Sequence, residues 1–141
     1  MKIKRDTLKL IFRNTKYNKK ESGGALGESE GVIFDVVFDK GLSDKMCTYE
    51  PNVNLLNSAI EKWQENNIAF AGIFHTHFFG VNTLSSEDIA YIKQILRAMP
   101  DSISNLCFPL VLPEKEIIIP YTAKKNNNDI CIIEDILTIC E

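Results

Sequence analysis

The sequence predicts one domain of the α/β or α+β class, a mixed sheet flanked by helices, over residues 1–141. Segments with apolar residues at three- and four-residue steps alternate with β-branched, apolar runs, and no repeat or linker separates them. Hydrophobic residues make up 45% of the chain and charged residues 25%, which are globular proportions. A chain of this length holds a core without disulfide or metal support, so we expect any metal ion to serve chemistry.

The N-terminal segment predicts a strand, a helix and a glycine-rich stretch. Residues 2–4 are expected to form a short strand, after which Asp6 or Thr7 caps a helix that runs to about Tyr17. Three glycines within residues 22–27 indicate a tight turn or a close approach to another chain.

The middle of the chain predicts two strands on either side of a helix. Residues 31–39 are β-branched and aromatic, which is typical of a strand. Apolar residues at helical spacing from Leu56 to Trp63 predict a helix over residues 54–66. Residues 68–74 are apolar almost throughout and predict a central strand that is buried on both faces.

The last third of the chain predicts one more helix and further strands. The helix is expected to begin near Ser85 and to end before Pro100. Strands are expected over residues 105–112 and 116–122, followed by a polar loop over 124–129 and an apolar final element. The expected apolar stripe of the helix consists of Ile89, Ile92, Leu96 and Met99.

The composition argues against several classes of function. A net charge of -3 does not favour nucleic-acid binding, which depends on neutralising phosphates. No apolar stretch approaches the roughly 20 residues that cross a bilayer, and the first residues do not resemble a signal peptide. We therefore expect a cytoplasmic protein with no membrane or nucleic-acid partner. Four cysteines without metal-ligand or disulfide-framework spacing are expected to be free thiols, namely Cys47, Cys107, Cys131 and Cys140.

Basic residues are concentrated near the N-terminus. Eight of the sixteen lie in the first twenty positions. They form either a docking face for an acidic partner or an ordinary solvated helix face, and the second is preferred because Leu8, Ile11 and Phe12 mark a helix with one buried side. The eight are Lys2, Lys4, Arg5, Lys9, Arg13, Lys16, Lys19 and Lys20.

The two histidines of the chain suggest a metal site. His75 and His77 follow a predicted buried strand, and residues two apart in a strand face the same side, so both imidazoles can bind one ion. A catalytic zinc site needs three protein ligands and an open position. Asp88 is the candidate third ligand, because it lies in the first turn of the helix that follows His77.

Each part of this pattern also has a purely structural interpretation. Ser85 and Asp88 are spaced as in a capping box at a helix N-terminus, which requires no metal. A His-x-His pair in a strand is, taken alone, more often a pair of satisfied polar residues. The combination of the His-x-His pair with the Ser-x-x-Asp spacing favours a metal site, because it places two imidazoles, a carboxylate and a hydroxyl around the same point.

These residues resemble the JAMM metalloproteases of the MPN domain class, whose signature is His-x-His, seven residues, then Ser-x-x-Asp. His75-Thr76-His77 and Ser85-Ser86-Glu87-Asp88 match this signature completely. Upstream, Glu21-Ser22-Gly23-Gly24-Ala25-Leu26-Gly27 is similar to the Glu-Thr-Gly-Gly-(apolar)-Leu-x-Gly of prokaryotic, JAB-type members. The resemblance covers Glu21 to about Leu96 and implies an MPN/JAB-like fold of the cytidine-deaminase-like type.

The resemblance also implies a role for each matching residue. His75, His77 and Asp88 would bind one Zn²⁺ ion, with water in the fourth position. Glu21 would act as general base and pass the proton to the leaving amine, and Ser85 would stabilise the oxyanion through its hydroxyl. Without its Gly-Gly context, Glu21 would be interpreted as an exposed loop acid.

The activity implied is hydrolysis of a peptide or isopeptide bond after the C-terminal glycines of a ubiquitin-like or sulfur-carrier protein. The alternatives are a non-catalytic MPN-type scaffold, which usually lacks one or more of these residues, and a RadC-like JAB protein, whose usual His-Asn-His-Pro-Ser-Gly is absent. Phe78-Phe79 follows His77 where many relatives have proline. These aromatic residues either cover the core, which is slightly preferred, or form a platform for substrate.

Overall fold

The structure of the protein, a computed structural model, describes residues 1–141 and has a mixed α+β fold. One mixed sheet of ten strands carries three α-helices. None of the helices combines the length and the apolar character that crossing a membrane demands. In chain order the elements are β1 (Lys2–Lys4), α1 (Arg5–Thr15), β2 (Gly23–Ser29), β3 (Val32–Asp39), α2 (Val53–Glu65), β4 (Ala69–Thr76), α3 (Ser86–Ala98), β5 (Asn105–Cys107), β6 (Leu110–Leu112), β7 (Ile117–Ile119), β8 (Tyr121–Asn126), β9 (Asp129–Glu134) and β10 (Thr138–Cys140).

The strands follow the order β10-β1-β3-β2-β4-β5-β8-β9, and β6 and β7 branch from the other end of β4. Strand β2 lies antiparallel between β3 and β4, whereas β4 pairs in parallel with β5 and β6. Gly23 is the register partner of His75. The start of β2 and the end of β4 therefore meet at one edge, and the residues just outside them are neighbours.

The hydrophobic core has two parts, one on each face of the sheet. The larger part packs α2 and α3 against the sheet through residues such as Trp63, Ile92 and Leu96. The smaller part packs α1 against the other face through Leu8 and Ile11. Because both faces are covered, the central strand β4 is buried over most of its length, as its apolar sequence predicts.

The glycines of β2 allow a close approach between strands. A Cβ atom on Gly23 would lie 2.4 Å from the carbonyl oxygen of Phe74, and one on Gly24 would lie 2.5 Å from that of Val37. The close approach is therefore present, and it is to neighbouring strands of the same chain. The alternative of a tight turn is wrong, because the segment is a strand and the chain turns later, at Glu30 and Gly31, where both φ angles are positive.

Helix boundaries differ from the predicted ones at the N-terminus. Strand β1 passes directly into α1, so Lys4 occupies the N-cap position and its side chain makes no cap bond. The prediction of Asp6 or Thr7 as the cap is wrong. Thr7 is buried instead, and its hydroxyl donates to the carbonyl oxygen of Phe34 on β3.

The buried side of α3 is also rotated from the predicted stripe. Ile92 and Leu96 are buried as expected, but Ile89 is 36% exposed. Asp88 is buried in its place. The carboxylate of Asp88 points toward β4. Ile89, the next residue on the helix, therefore faces outward.

Prolines divide the predicted C-terminal strands. Residues 105–112 form β5 and β6, separated by Phe108 and Pro109, and Pro120 separates β7 from β8. Proline lacks the N–H group that a strand ladder requires. The predicted polar loop is wrong for most of its length, because β8 and β9 extend into it and leave a turn of only two residues, 127–128.

Candidate metal centre

Strand β4 and helix α3 bring His75, His77 and Asp88 together. His75 is the penultimate residue of β4, and the N–H of His77 donates to the carbonyl oxygen of Val111, so the strand geometry continues through both histidines. All three side chains are buried, and His75 has no exposed surface. The predicted same-face arrangement of the histidines is thus present, with Asp88 facing them from the first turn of α3.

The three potential ligand atoms form a nearly equilateral triangle. The Nε2 atoms of His75 and His77 lie 3.2 Å apart, and the Oδ2 atom of Asp88 lies 3.2 Å from the first and 3.0 Å from the second. Ligands about 2.0 Å from a tetrahedral zinc ion are separated by about 3.3 Å. The triangle therefore has the size of one face of a zinc coordination tetrahedron, and the group is held at metal-binding distance.

Hydrogen bonds outside the triangle hold the side chains of His77 and Asp88 in their orientations. Nδ1 of His77 lies 3.2 Å from the carbonyl oxygen of Val81, which can only accept, so Nδ1 carries the proton and Nε2 is free to bind. The Asp88 carboxylate accepts the N–H of Ser85 at 2.9 Å. Acceptor atoms that converge in a buried site need a cation between them, either a proton, as in the hydrogen bond between His77 and Asp88, or a metal ion. Two imidazoles and one carboxylate are a donor set that suits zinc.

The pKa shifts of the three residues result from a balance between burial and the contacts that the residues make with one another. Burial would raise the pKa of Asp88, but hydrogen bonds with His75 and His77 outweigh it and hold this pKa well below its usual value. Burial lowers the pKa of His75, which keeps its ring neutral and its lone pair available. At His77 the hydrogen bond and charge of Asp88 outweigh burial and raise the pKa.

Glu21 lies beside the triangle and not within it. Its Oε1 atom is 3.6 Å from Nε2 of His77, and the side chain is largely buried. Burial raises the pKa of Glu21 to about 7, against the lowering effect of the neighbouring His77. A carboxylate with such a pKa, next to a metal site, can accept and return a proton near neutral pH.

Thr76 holds the Glu21 segment in place. Its N–H donates to the carbonyl oxygen of Ser22, and its hydroxyl accepts the N–H of Ser22 at 3.0 Å. The Glu21 N–H also donates to the carbonyl oxygen of Met46 at 2.8 Å. The residue between the two histidines therefore fixes the start of β2, and sequence analysis assigned it no role.

Ser85 caps α3 and faces the same cleft. Its Oγ atom accepts the N–H of Asp88 at 3.0 Å, while the Asp88 carboxylate accepts the N–H of Ser85, which completes a capping box. The hydroxyl proton of Ser85 is directed to no acceptor within the protein. The structural interpretation of the Ser-x-x-Asp spacing is therefore confirmed, and the capping box leaves the hydroxyl proton of Ser85 available for another acceptor.

Three further residues support the site and were missed by sequence analysis. The Tyr91 hydroxyl lies 2.8 Å from Nδ1 of His75, and the Tyr49 ring stacks on the His75 ring with a centroid separation of 6.0 Å. Tyr49 in turn donates its hydroxyl to Asp39. The position of Tyr91, three residues after Asp88 on a helix, is a signal that could have identified it. Tyr49 and Asp39 meet only through the tertiary fold.

A cleft of about 210 Å³ opens onto these residues. The segment from Met46 to Tyr49 lines one side, and Phe78, Phe79 and Val81 line the other. Phe78 is only 5% exposed and covers the core, as preferred from the sequence, whereas Phe79 is 70% exposed and lies at the cleft.

Comparison with known proteins identifies the fold. At the level of sequence, no family model and no curated protein matches this chain. In structure, it is similar to AF2198, a JAB1/MPN domain protein from Archaeoglobus fulgidus known from a crystal structure, with a TM-score of 0.58 and 16% identity over 99% of this chain and 97% of that one. It is also similar to the protein DSY2949 of Desulfitobacterium hafniense, known from a solution structure, with a TM-score of 0.65 and 14% identity over 98% and 92%.

At such identities the similarity is one of fold. The chain has an MPN/JAB-like fold, as its motifs imply, and this fold carries a His-His-Asp group at metal-binding distance.

Proposed function

We propose that the protein is a zinc-dependent metalloprotease or isopeptidase that hydrolyses the bond after the C-terminal glycines of a ubiquitin-like or sulfur-carrier protein. The observation that carries this proposal is the ligand triangle with Glu21 Oε1 only 3.6 Å from one corner. A purely structural helix cap explains Ser85 and Asp88. It does not explain a second buried carboxylate beside two converging imidazoles.

His75, His77 and Asp88 would hold the ion, which, when bound, lowers the pKa of a water molecule to about 7 and polarises a substrate carbonyl. Glu21 accepts the proton of the attacking water, because its Oε1 atom lies beside the ligand triangle and burial strengthens its carboxylate as a base. The same carboxyl group then donates this proton to the leaving amine. The Ser85 hydroxyl, free of protein acceptors, donates a hydrogen bond to the oxyanion that develops on the carbonyl.

The small volume of the cleft favours a substrate tail with small side chains. Its volume of about 210 Å³ is small for a protease that accommodates bulky side chains on both sides of the bond. Glycine residues let a tail approach the protein backbone closely. The exposed ring of Phe79 offers an apolar contact at the edge of this path.

The proposal is tested by zinc content and by cleavage of a diglycine-tailed protein fusion, measured on the same preparations. We expect near-stoichiometric zinc in the wild type. Glu21→Gln should retain zinc but lose cleavage by about 10² to 10⁴-fold, the usual contribution of a general base. Asp88→Ala should lose both, and Glu61→Ala, a change at an exposed acid of α2, should lose neither.

Two outcomes would contradict the proposal. If the folded wild type takes up no zinc, Ser85 and Asp88 serve only as a helix cap. The alternative of a non-catalytic MPN-type scaffold is then favoured. Normal cleavage by Glu21→Gln would remove the general-base assignment. Asp88→Asn, which keeps the shape of the capping residue, serves as the ligand variant if Asp88→Ala does not fold.

A further inference from the structure

Charge is unevenly distributed along this chain. Residues 1–20 contain eight basic residues and one acidic residue, Asp6, whereas residues 21–141 contain eight basic and eighteen acidic residues. The protein is acidic as a whole, yet its first twenty residues are strongly basic. Solubility alone does not require this separation, since mixed charges serve it equally well.

Helix α1 gathers three of these charges on its solvent-facing side. Lys9, Arg13 and Lys16 follow one another at steps of four and three residues, so they share one face of the helix. Together with Phe12 and the exposed Tyr17 they line a shallow cavity of about 280 Å³, which also includes Glu116. We call Lys9, Arg13, Lys16 and Tyr17 the α1 basic surface.

Most of this charge has no partner within the protein. Arg5, at the start of the helix, is paired with Glu141, and Lys16 contacts Glu116 at 3.6 Å between two well-exposed side chains. Lys9 and Arg13 form no ion pair. The helix therefore presents two basic side chains that form no ion pair, although the charge of Lys9 contributes, after the contact with Arg5, to the lowered pKa of Glu141.

The exposed aromatic ring of Tyr17 supports an interface at this place. Its side chain is 88% exposed and lies just beyond the C-terminus of α1 among the basic residues. Tyrosine and arginine are the residue types most enriched at the energetic centres of protein interfaces. A solvated helix face needs charges but has no need of a large aromatic ring in solvent.

The same basic stretch leads into the candidate catalytic cleft. Lys19 lies on the segment that joins α1 to β2 and lines the cleft together with Glu21. A partner that lies across the α1 basic surface is therefore positioned to place an extension of its chain next to the ligand triangle.

We propose that the α1 basic surface binds an acidic face of the folded protein substrate while the C-terminal tail of that substrate occupies the cleft. This inference rests on the proposed function. The substrate class is thus narrowed to diglycine-tailed proteins with a negatively charged surface. Electrostatic complementarity of this kind raises association rates by about 10 to 10³-fold and depends strongly on salt.

The experiment uses probes that separate the surface from the cleft. One diglycine-tailed carrier domain is prepared in an acidic and a basic version by surface substitutions, each joined through its diglycine to a fluorescent reporter. A short peptide with the same tail reaches the cleft but not α1. Cleavage rates are measured for the wild type and for the triple variant Lys9→Gln, Arg13→Gln, Lys16→Gln.

At about 10 mM salt, where the Debye length is about 30 Å, we expect kcat/KM of the triple variant on the acidic fusion to fall at least about tenfold. The difference should shrink to within about threefold at about 1 M salt, where the Debye length is about 3 Å. The tail peptide should be cleaved equally by both proteins, and the basic fusion should be cleaved at least as fast by the triple variant as by the wild type, because like charges repel. A matched variant with the same charge loss at exposed sites elsewhere, Lys62→Gln, Arg97→Gln, Lys124→Gln, should resemble the wild type.

The contribution of the aromatic ring is tested separately. Tyr17→Ser, which changes a side chain that is 88% exposed, should weaken binding of the acidic carrier while the thermal stability of the protein changes little. Equal binding by this variant and the wild type would remove Tyr17 from the proposed surface.

Binding of the uncleaved carriers, measured by fluorescence anisotropy in the Glu21→Gln background, separates this inference from the proposed function. One result supports the binding surface but contradicts the proposed hydrolysis. In that result neither fusion is cleaved, yet the acidic carrier still requires Lys9, Arg13 and Lys16 for binding. If the acidic fusion is cleaved equally by the wild type and the triple variant, or if the tail peptide is affected as much, the surface proposal is overturned. Tighter binding of duplex DNA than of the acidic carrier would also overturn it.

Discussion

Removal of the Tyr91 hydroxyl should weaken metal binding without unfolding the protein. If His75 binds the ion through Nε2, its Nδ1 atom must carry the proton and donate it to Tyr91, 2.8 Å away. The His75 ring is completely buried, so in Tyr91→Phe this N–H group would have no water to bond instead.

The expected loss follows from the cost of that unpaired donor. A buried donor without a partner costs about 1–3 kcal/mol, and each 1.4 kcal/mol corresponds to about tenfold in a binding constant. In the metal-free protein the ring escapes this cost, because it can place its proton on Nε2 and donate to Asp88, 3.2 Å away. The penalty therefore falls on the metal-bound state, and the zinc Kd of Tyr91→Phe should rise about 10- to 100-fold.

Competition against a chromophoric zinc chelator measures this change, and thermal unfolding of the metal-free proteins measures the stability. Tyr121→Phe is the matched control, because its hydroxyl takes part in no hydrogen bond of the site. An unchanged zinc Kd in Tyr91→Phe would refute the assignment of Nε2 of His75 as the ligand atom. A large loss of metal-free stability would instead show that the tyrosine hydroxyl supports the fold itself.

Three further substitutions test the packing and the positioning of the site. Gly24→Ala places a Cβ atom 2.5 Å from a backbone oxygen and should lower the free energy of unfolding by about 1–3 kcal/mol in denaturant titrations. Gly31→Asn meets no neighbouring atom, and its only cost is the positive φ, which asparagine tolerates, so it should lower this free energy by less than about 1 kcal/mol. Ile92→Ala should cost about 2–5 kcal/mol and Ile89→Ala less than about 1 kcal/mol, and equal values would contradict the rotated face of α3. Thr76→Val removes the acceptor of the Ser22 N–H and should reduce cleavage about tenfold or more, with unchanged zinc content, through displacement of Glu21.

Patterns of near neighbours in the sequence predicted much of the fold. Helix α2 and strand β4 follow from their apolar periodicity, and the mixed α+β class follows from the alternation of such segments. The His75 and His77 side chains share a face because a strand repeats every two residues. Asp88 lies in the first turn of α3 because the capping box places it there.

Strand β2 shows where local patterns fail. Its residues, Gly-Gly-Ala-Leu-Gly, lack the β-branched side chains that mark a strand, so the sequence indicated a turn or a close approach. The segment is extended because it pairs with β3 on one side and β4 on the other. Its glycines leave room for the close approach of these strands. The residues of β2 alone do not indicate which strands will lie beside them, so its extended conformation could not be predicted from this segment.

The sequence by itself therefore determined the class of fold, the elements with strong periodicity, and the set of residues that resembles a metalloprotease motif. Only the tertiary structure decided that the three ligand atoms lie 3.0–3.2 Å apart, that Glu21 stands beside them, and that Tyr91 supports His75 from behind. The physical reason is the range of the interactions. Periodicity and capping act over a few residues, whereas burial and the register of β2 on β4 join positions more than fifty residues apart.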